Sequence, residues 1–215
     1  MATAHDPETD DERAIGIVRP TGPMTEDEFM DWCDEDVKAE WVDGKAIIMS
    51  PSNTNHVRLL HWLSRVMGDF AEDRGLGEMF GPELFVRFAR LRRRRVPDLF
   101  FIATDRLGLL QPNHFEGAPD LIIEVVSPES RSRDLRDKYD DYQAAGVREY
   151  WIIDPDEEVL AVHALGTSGR FRPVASIGDR VASTVIPDFC LRDAWLWQSP
   201  LPAKRAVLRE MGLND

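Results

Sequence analysis

The chain has 215 residues, of which 43% are hydrophobic and 30% charged, a balance that suits a globular protein with a sizeable core. No stretch reaches the roughly 18 apolar residues of a membrane span, and the acidic N-terminal residues lack the apolar segment of a signal peptide. We therefore expect a cytoplasmic protein with no membrane partner. Its two cysteines, Cys33 and Cys190, lie far apart without CxxC spacing, which argues against a disulfide framework or a zinc site.

The formal net charge of −13 is unevenly distributed along the chain. Residues 1–43 hold 14 Asp and Glu against three Lys and Arg, so the other 172 residues carry a net charge of only −2. We predict a flexible acidic tail over residues 1–20, a single domain over 21–200 and a C-terminal extension over 201–215. The acidic overall charge argues against tight non-specific nucleic-acid binding, but it does not exclude a local basic site.

A short helix and a hairpin are the first predicted elements. Thr25 and Glu28 have the spacing of a capping box, which predicts a helix from about Thr25. Asp43-Gly44 lies between two alternating runs and is the strongest short hairpin signal.

A longer helix should follow the hairpin, because three consecutive residues can cap it: Ser52, Asn53 and Thr54. Its apolar residues recur at helical spacing: Val57, Leu60, Leu63, Met67 and Phe70. That helix is expected to pack on a sheet.

Three extended runs come next, "MFGPELFVRFA", "VPDLFFIA" and "PDLIIEVV", and the last two are apolar enough for central strands. Ser132 can then cap a helix that ends at Gly146, with Leu135, Tyr139 and Tyr142 on its buried side. "REYWIIDP" predicts another strand, and the runs after it a further hairpin. This order predicts an α/β fold with a mixed central sheet flanked by helices, an N-terminal helix and hairpin, and a C-terminal antiparallel extension.

Two acids stand out within these strands. Asp98 begins one apolar run and Glu124 lies near the end of the next. Neighbouring strands lie about 4.8 Å apart, so the two carboxylates can meet at one cation if the register allows. A hard divalent ion would compensate for burying them. Asp120 lies about 13 Å along the strand from Glu124, too far to share an ion, and is interpreted as a strand-start or turn residue.

These segments resemble a known family. "AEWVDGKAIIMSPSNTNH", "VPDLFFI", "APDLIIEVVSPESRSRD" and "KYDDYQAAGVREYWIIDP" are similar, in this order, to the Uma2 (DUF820) group within the PD-(D/E)XK nuclease superfamily, over about residues 25–196. The resemblance implies a restriction-endonuclease-like fold and divalent-metal-dependent phosphodiester hydrolysis. It also implies that Asp98 and Glu124 are the metal-binding acids of the motif.

The motif lysine is missing from its usual place, which Val126 occupies. The chain has only four lysines against 22 arginines, and Lys138 lies at the flank of the predicted helix's buried side, where it could point toward the strand ends. The resemblance also implies that a lysine can come from this helix. The alternative is an ordinary ion pair between Lys138 and Asp134 at i,i+4 spacing.

Two upstream residues are further catalytic candidates. Glu40 could bring a third acid to the metal, and the alternative is a partly exposed strand glutamate. His56 begins the long helix, where it could contact a phosphate or a water, and the more common alternative is a surface histidine at a helix end.

A dense basic run precedes Asp98. Its members, which could hold phosphates or simply form a solvated turn, are Arg87, Arg90, Arg92, Arg93, Arg94 and Arg95.

The sequence therefore predicts an endonuclease dependent on Mg²⁺ or Mn²⁺, held by Asp98 and Glu124, with Lys138 assisting the attacking water. The expected substrate is nucleic acid, with DNA favoured, and a homodimer could address both strands of a duplex. One alternative is an inactive nuclease-fold module that binds nucleic acid or protein, which Val126 and the acidic tail favour. Another is a different metal-dependent hydrolase or a metal-binding structural protein.

Overall fold

The computed structural model describes residues 20, 22–34, 37–127, 131 and 133–213, with the backbone alone for 133–135. The chain divides into two compact units, residues 1–49 and 50–215, and the predicted domain over 21–200 spans most of both. Apart from Pro20, the predicted acidic tail lies outside the described residues.

The first unit contains the predicted helix and hairpin. Helix α1 spans Glu26–Trp32, and the capping box is formed: the Glu28 amide donates to the Thr25 hydroxyl and the Thr25 amide donates to the Glu28 carboxylate. Strands β1 (Ala39–Val42) and β2 (Lys45–Ile48) pair in antiparallel fashion. Asp43 and Gly44 both have positive φ, as a two-residue hairpin turn of the favoured type requires.

The second unit begins with the long helix α2 (Thr54–Asp73), whose N-cap is Asn53. The strands after it are β3 (Gly77–Phe80), β4 (Phe85–Phe88), β5 (Arg93–Arg95), β6 (Leu99–Ala103), β7 (Leu110–Gln111), β8 (His114–Glu116), β9 (Leu121–Val125), β10 (Glu149–Asp154), β11 (Val159–Leu165), β12 (Phe171–Pro173), β13 (Arg180–Ala182) and β14 (Cys190–Arg192). Helices α3 (Tyr139–Ala145) and α4 (Lys204–Glu210) complete the elements used below.

A mixed sheet lies at the centre of this unit, with the strand order β12–β11–β10–β9–β6–β3. Strands β9 and β10 are parallel and the other neighbours antiparallel, as the predicted α/β class requires. A second set of strands has the order β5–β4–β8–β7. The predicted strand "MFGPELFVRFA" is divided between the two sheets, because Gly81-Pro82 interrupts it and proline cannot continue a sheet's hydrogen bonding.

Each face of the central sheet is covered. One face packs against α2 and α4, so residues of the predicted C-terminal extension, Val207, Leu208 and Met211, belong to the core. The other face packs against β4, β8 and α3 through Phe100, Ile122, Tyr142 and Tyr150 among others. Within the described residues, we find no helix with the length and apolar character that crossing a bilayer demands.

The helix predicted after β9 differs from a regular α-helix. Its first part, Arg133–Lys138, is π-helical, and α3 continues it to Ala145, where Gly146 ends it with φ of +88°. The predicted cap at Ser132 lies outside the described residues. Single π-helical turns of this kind are frequent at functional sites.

Candidate active site

Strand register brings the two predicted acids together. Leu99 of β6 pairs with Ile123 of β9, so Asp98, directly before β6, lies opposite Glu124. Residues opposite each other on antiparallel strands face the same side of the sheet, with Cβ atoms about 4.5–5.5 Å apart. Both side chains are removed from solvent, since Asp98 is 8% and Glu124 only 1% exposed.

Two side chains of the following helix hold Glu124. The Lys138 ammonium donates to Oε2 at 2.9 Å, and the Tyr142 hydroxyl donates to Oε1 at 2.6 Å. Lys138 is 3% exposed, so this ion pair is shielded from water. An uncompensated carboxylate would be strongly unfavourable here, and the two donors offset that cost.

Asp98 is fixed from the opposite strand and from α2. The Val125 amide donates to its Oδ2 at 2.8 Å, and Nε2 of His56 lies 3.2 Å from Oδ1. The Asn53 cap accepts from the His56 amide at 2.9 Å and so anchors the first turn of α2. His56 is therefore a buried neighbour of Asp98 and not a surface histidine.

Two further acids, Asp120 and Glu40, are also buried. Asp120 is buried at the start of β9, where the guanidinium groups of Arg106 and Arg148 each approach its Oδ1 to 2.8 Å. Glu40 belongs to the first unit and is a buried residue of β1, not a partly exposed one. A catalytic role for Glu40 stays a prediction.

The basic run is not a uniform solvated turn. Arg94 and Arg95 are buried, and both Arg93 and Arg95 form ion pairs with Asp141 of α3. Arg87 pairs with Glu116, at 3.1 Å between Nη1 and Oε2. The remaining two members, Arg90 and Arg92, are exposed. Phosphate binding by the run stays a prediction. Because Arg90 and Arg92 are exposed, they are the members best placed to contact a phosphate.

Sequence reasoning missed two participants. The sequence pattern places Tyr142 only on the buried side of its helix, although a buried tyrosine hydroxyl usually needs a hydrogen-bond partner, and that need indicates a polar group nearby. Asp141 gave no signal of its own, because its partners are distant in sequence.

The pair of carboxylates matches the donors that Mg²⁺ or Mn²⁺ prefers. Among the described residues, no group of three or more His, Cys, Asp or Glu side chains is arranged to hold a metal ion. Mg²⁺ is commonly bound through one or two carboxylates, with water and substrate phosphate completing its coordination. Asp98 and Glu124 fit that mode of binding.

The mixed sheet flanked by helices, with two acids opposite each other on adjacent strands, defines a restriction-endonuclease-like α/β fold. Residues 26–194 match the model of the Uma2 family, which is described as "putative restriction endonuclease". The chain therefore belongs to the Uma2 family, which confirms the resemblance drawn from its sequence motifs.

A solved structure supports the fold. The chain is similar to the crystal structure of a "putative nuclease belonging to DUF820" from Anabaena variabilis ATCC 29413, with a TM-score of 0.68 and 21% sequence identity. The similarity covers 81% of this chain and 98% of that one. The predicted fold class is thereby confirmed. No match was found among curated proteins.

Proposed function

We propose that the chain is a metal-dependent endonuclease that hydrolyses phosphodiester bonds in nucleic acid, with DNA as the favoured substrate. Membership of the Uma2 family supports a nuclease-like function. The observation that carries the proposal is the placement of two buried carboxylates, Asp98 and Glu124, opposite each other on adjacent strands with a buried lysine beside them.

Asp98 and Glu124 would hold a Mg²⁺ or Mn²⁺ ion, which when bound supplies Lewis acidity toward the scissile phosphate. Four groups of this chain fix the two carboxylates before substrate arrives. Asp98 is oriented by His56 and the Val125 amide, and Glu124 by Lys138 and Tyr142. Such preorganisation lets the site meet developing charge without rearranging.

Lys138 has a second role in the proposal. Its ammonium contacts Glu124 Oε2 at 2.9 Å. In the proposal the same ammonium also orients the attacking water, or stabilises a phosphate oxygen as negative charge develops in the transition state. Arginine could orient substrate but could not transfer a proton, since guanidinium stays protonated.

The alternative function is a nuclease-fold module that binds nucleic acid without cutting it. Val126 in the usual place of the motif lysine favours this alternative. The contact of Lys138 with Glu124 opposes it, because the missing ammonium is supplied from the helix.

A plasmid-nicking assay separates the two functions. We expect wild-type protein to nick supercoiled plasmid in Mg²⁺ or Mn²⁺ and not in EDTA. Asp98→Asn and Glu124→Gln should lose cleavage, whereas Asp105→Asn, an exposed acid outside the site, should retain it. Wild-type protein that binds DNA but leaves the plasmid intact with either ion would contradict the proposal and favour the binding module.

A further inference from the structure

A groove of about 700 Å³ runs along the flank of α2, outside the site already described. The helix contributes Asn55, Arg58, His61 and Arg65 to its lining, and the segment after β14 contributes Trp197 and Gln198. The turn between β10 and β11 adds an acid, Glu158.

The helical side of the groove is cationic. Arg58, His61 and Arg65 are exposed, and within the described part of the chain none of them has a hydrogen bond or an ion pair. At 1.5 Å per residue, Arg58 and Arg65 are separated by about 10.5 Å along the helix, so the two guanidinium groups can contact different phosphates of one strand.

The opposite side offers an aromatic ring. Trp197 packs partly against the core and stays partly exposed, so one part of its indole is held while another faces the groove. Trp62 also lines the groove, but it is buried and its Nε1 donates to the Pro202 carbonyl at 2.8 Å, a structural role. Trp197 is therefore the ring available for stacking.

The groove lies toward the same edge of the central sheet as the candidate active site. Asn55 precedes His56, the residue that contacts Asp98. On the sheet, Pro155 in the groove lining directly follows β10, and Glu124 is the penultimate residue of the parallel strand β9. Because parallel strands end at the same edge of a sheet, the groove and the acids lie at the same edge.

We propose that this groove binds single-stranded nucleic acid, with Arg58 and Arg65 on its phosphates and a base stacked on Trp197. The inference rests on the proposed nuclease function, for which it supplies a substrate class: nucleic acid with a single-stranded segment next to the scissile phosphate. A cationic groove with an aromatic platform is the general means of holding single strands. Bases in an intact duplex are already stacked and do not present a free face to such a ring.

Fluorescence anisotropy with labelled dT12 and with a 12-base-pair duplex, both in EDTA, tests this assignment. We expect wild-type protein to prefer dT12. Arg58→Ala/Arg65→Ala should weaken that binding on the order of tenfold and lower the slope of log K against log salt by about 1.4, for two lost phosphate contacts on a single strand. Arg170→Ala/Arg172→Ala, which removes the same charge from exposed positions outside the groove, should leave the slope unchanged.

Trp197→Leu, which keeps apolar contact with the core, should weaken dT12 binding at least about fivefold, and Trp197→Phe should weaken it less. Wild-type affinity and salt slope in both the double-arginine and the Leu variants would overturn the inference, as would tighter binding of the duplex through the same residues. Because binding is measured without metal, it does not depend on cleavage. Protein that binds dT12 through the groove but never nicks plasmid would overturn the proposed nuclease function alone.

Discussion

Glu124 lies on a strand whose other residues are apolar and buried, so its charge is tolerated only because specific partners meet it. Lys138 and Tyr142, one helical turn apart, approach its two oxygens from the same side. The helix thus supplies the ammonium that a lysine at position 126 would otherwise provide.

Replacing Lys138 tests its role at the site. Lys138→Met should lower cleavage by about 10²- to 10⁴-fold, the effect typical of a positioned acid–base group. It should also lower the free energy of unfolding by about 3–5 kcal/mol, because Glu124 keeps a buried charge without its ion partner. Plasmid nicking and urea unfolding measure the two effects.

Lys138→Arg is the matched control for charge. It should recover much of the lost stability and little of the lost activity, because the planar guanidinium cannot place a donor where the compact ammonium does. Cleavage by the Met variant at the wild-type rate would remove Lys138 from the mechanism.

Tyr142→Phe should destabilise the protein by about 1.5–3 kcal/mol, since it removes a hydrogen bond to a buried charged group while the ring keeps its contacts with Tyr150. Tyr139→Phe is the control: its hydroxyl has no hydrogen bond among the described residues, so the change in urea unfolding should be much smaller. Equal effects of the two substitutions would mean that the contact with Glu124 contributes little.

The sequence predicts the acids better than their partners. Asp98 and Glu124 could be placed on adjacent strands because two apolar runs are bounded by turn residues, and the register then follows from the fold. The burial of His56 could not be predicted, because a histidine at a helix start is more commonly exposed to solvent. It becomes evident only when Asp98 is seen beside it.

At the scale of elements, ion pairs between Asp141 of α3 and arginines of the basic run hold the helix in place. Asp141 accepts from Nε of Arg93 at 3.0 Å and from Nη2 of Arg95, and Arg95 is almost fully buried. The same helix carries Tyr142 and directly follows Lys138. These ion pairs therefore connect β5, which precedes Asp98, to the helix that holds Glu124.

Asp141→Asn should lower the free energy of unfolding by about 3 kcal/mol, because the Arg95 charge stays buried with its partner neutralised. It should also reduce cleavage, since α3 positions the partners of Glu124. Asp140→Asn, an exposed neighbour, should change stability by no more than about 0.5 kcal/mol. Urea unfolding of both variants measures the difference. Equal stability of the two variants would show that the ion pairs of Asp141 contribute little to stability.

A second element-scale prediction concerns pH. His163 of β11 packs edge-on against Tyr139, and its Nδ1 is buried with no hydrogen-bond partner among the residues that the structure describes. Burial lowers the pKa of His163 below the ordinary value of about 6.5. The unfolded chain therefore binds a proton at higher pH than the folded chain. Stability should be fully present above about pH 6.5 and decline as the pH falls toward the lower pKa of the folded state.

His163→Phe keeps the ring packing and removes the titrating group. Urea unfolding between pH 7.5 and 5.5 should then show a weaker loss of stability than in wild-type protein. An identical pH dependence in the two proteins would show that protonation of His163 does not cause the loss of stability at low pH.

The boundaries and burial of some strands could not be predicted from sequence patterns. The run "MFGPELFVRFA" has enough apolar character for one strand, yet Gly81-Pro82 divides it between two sheets. Consecutive arginines are compatible with a solvated turn by composition, and only the tertiary ion pair with Asp141 explains why the Arg95 guanidinium can be buried in β5. Alternation cannot reveal partners that are distant in sequence.

At the scale of the whole molecule, acidity is a poor guide to partners. Most of the net charge of −13 resides in residues 1–43, and the second unit carries a groove with exposed arginines at the same edge of the sheet as the pair of carboxylates. Local charge, and not the sum, should therefore govern contact with nucleic acid.

The central claim is that Asp98 and Glu124 share one divalent ion. A crystal soaked in MnCl₂ and measured for anomalous scattering tests it most directly. We predict one strong peak within about 2.2 Å of a carboxylate oxygen from each residue, and loss of that peak in Asp98→Asn crystals. A peak bound to only one of the two acids, or no peak between them at saturating Mn²⁺, would contradict the account.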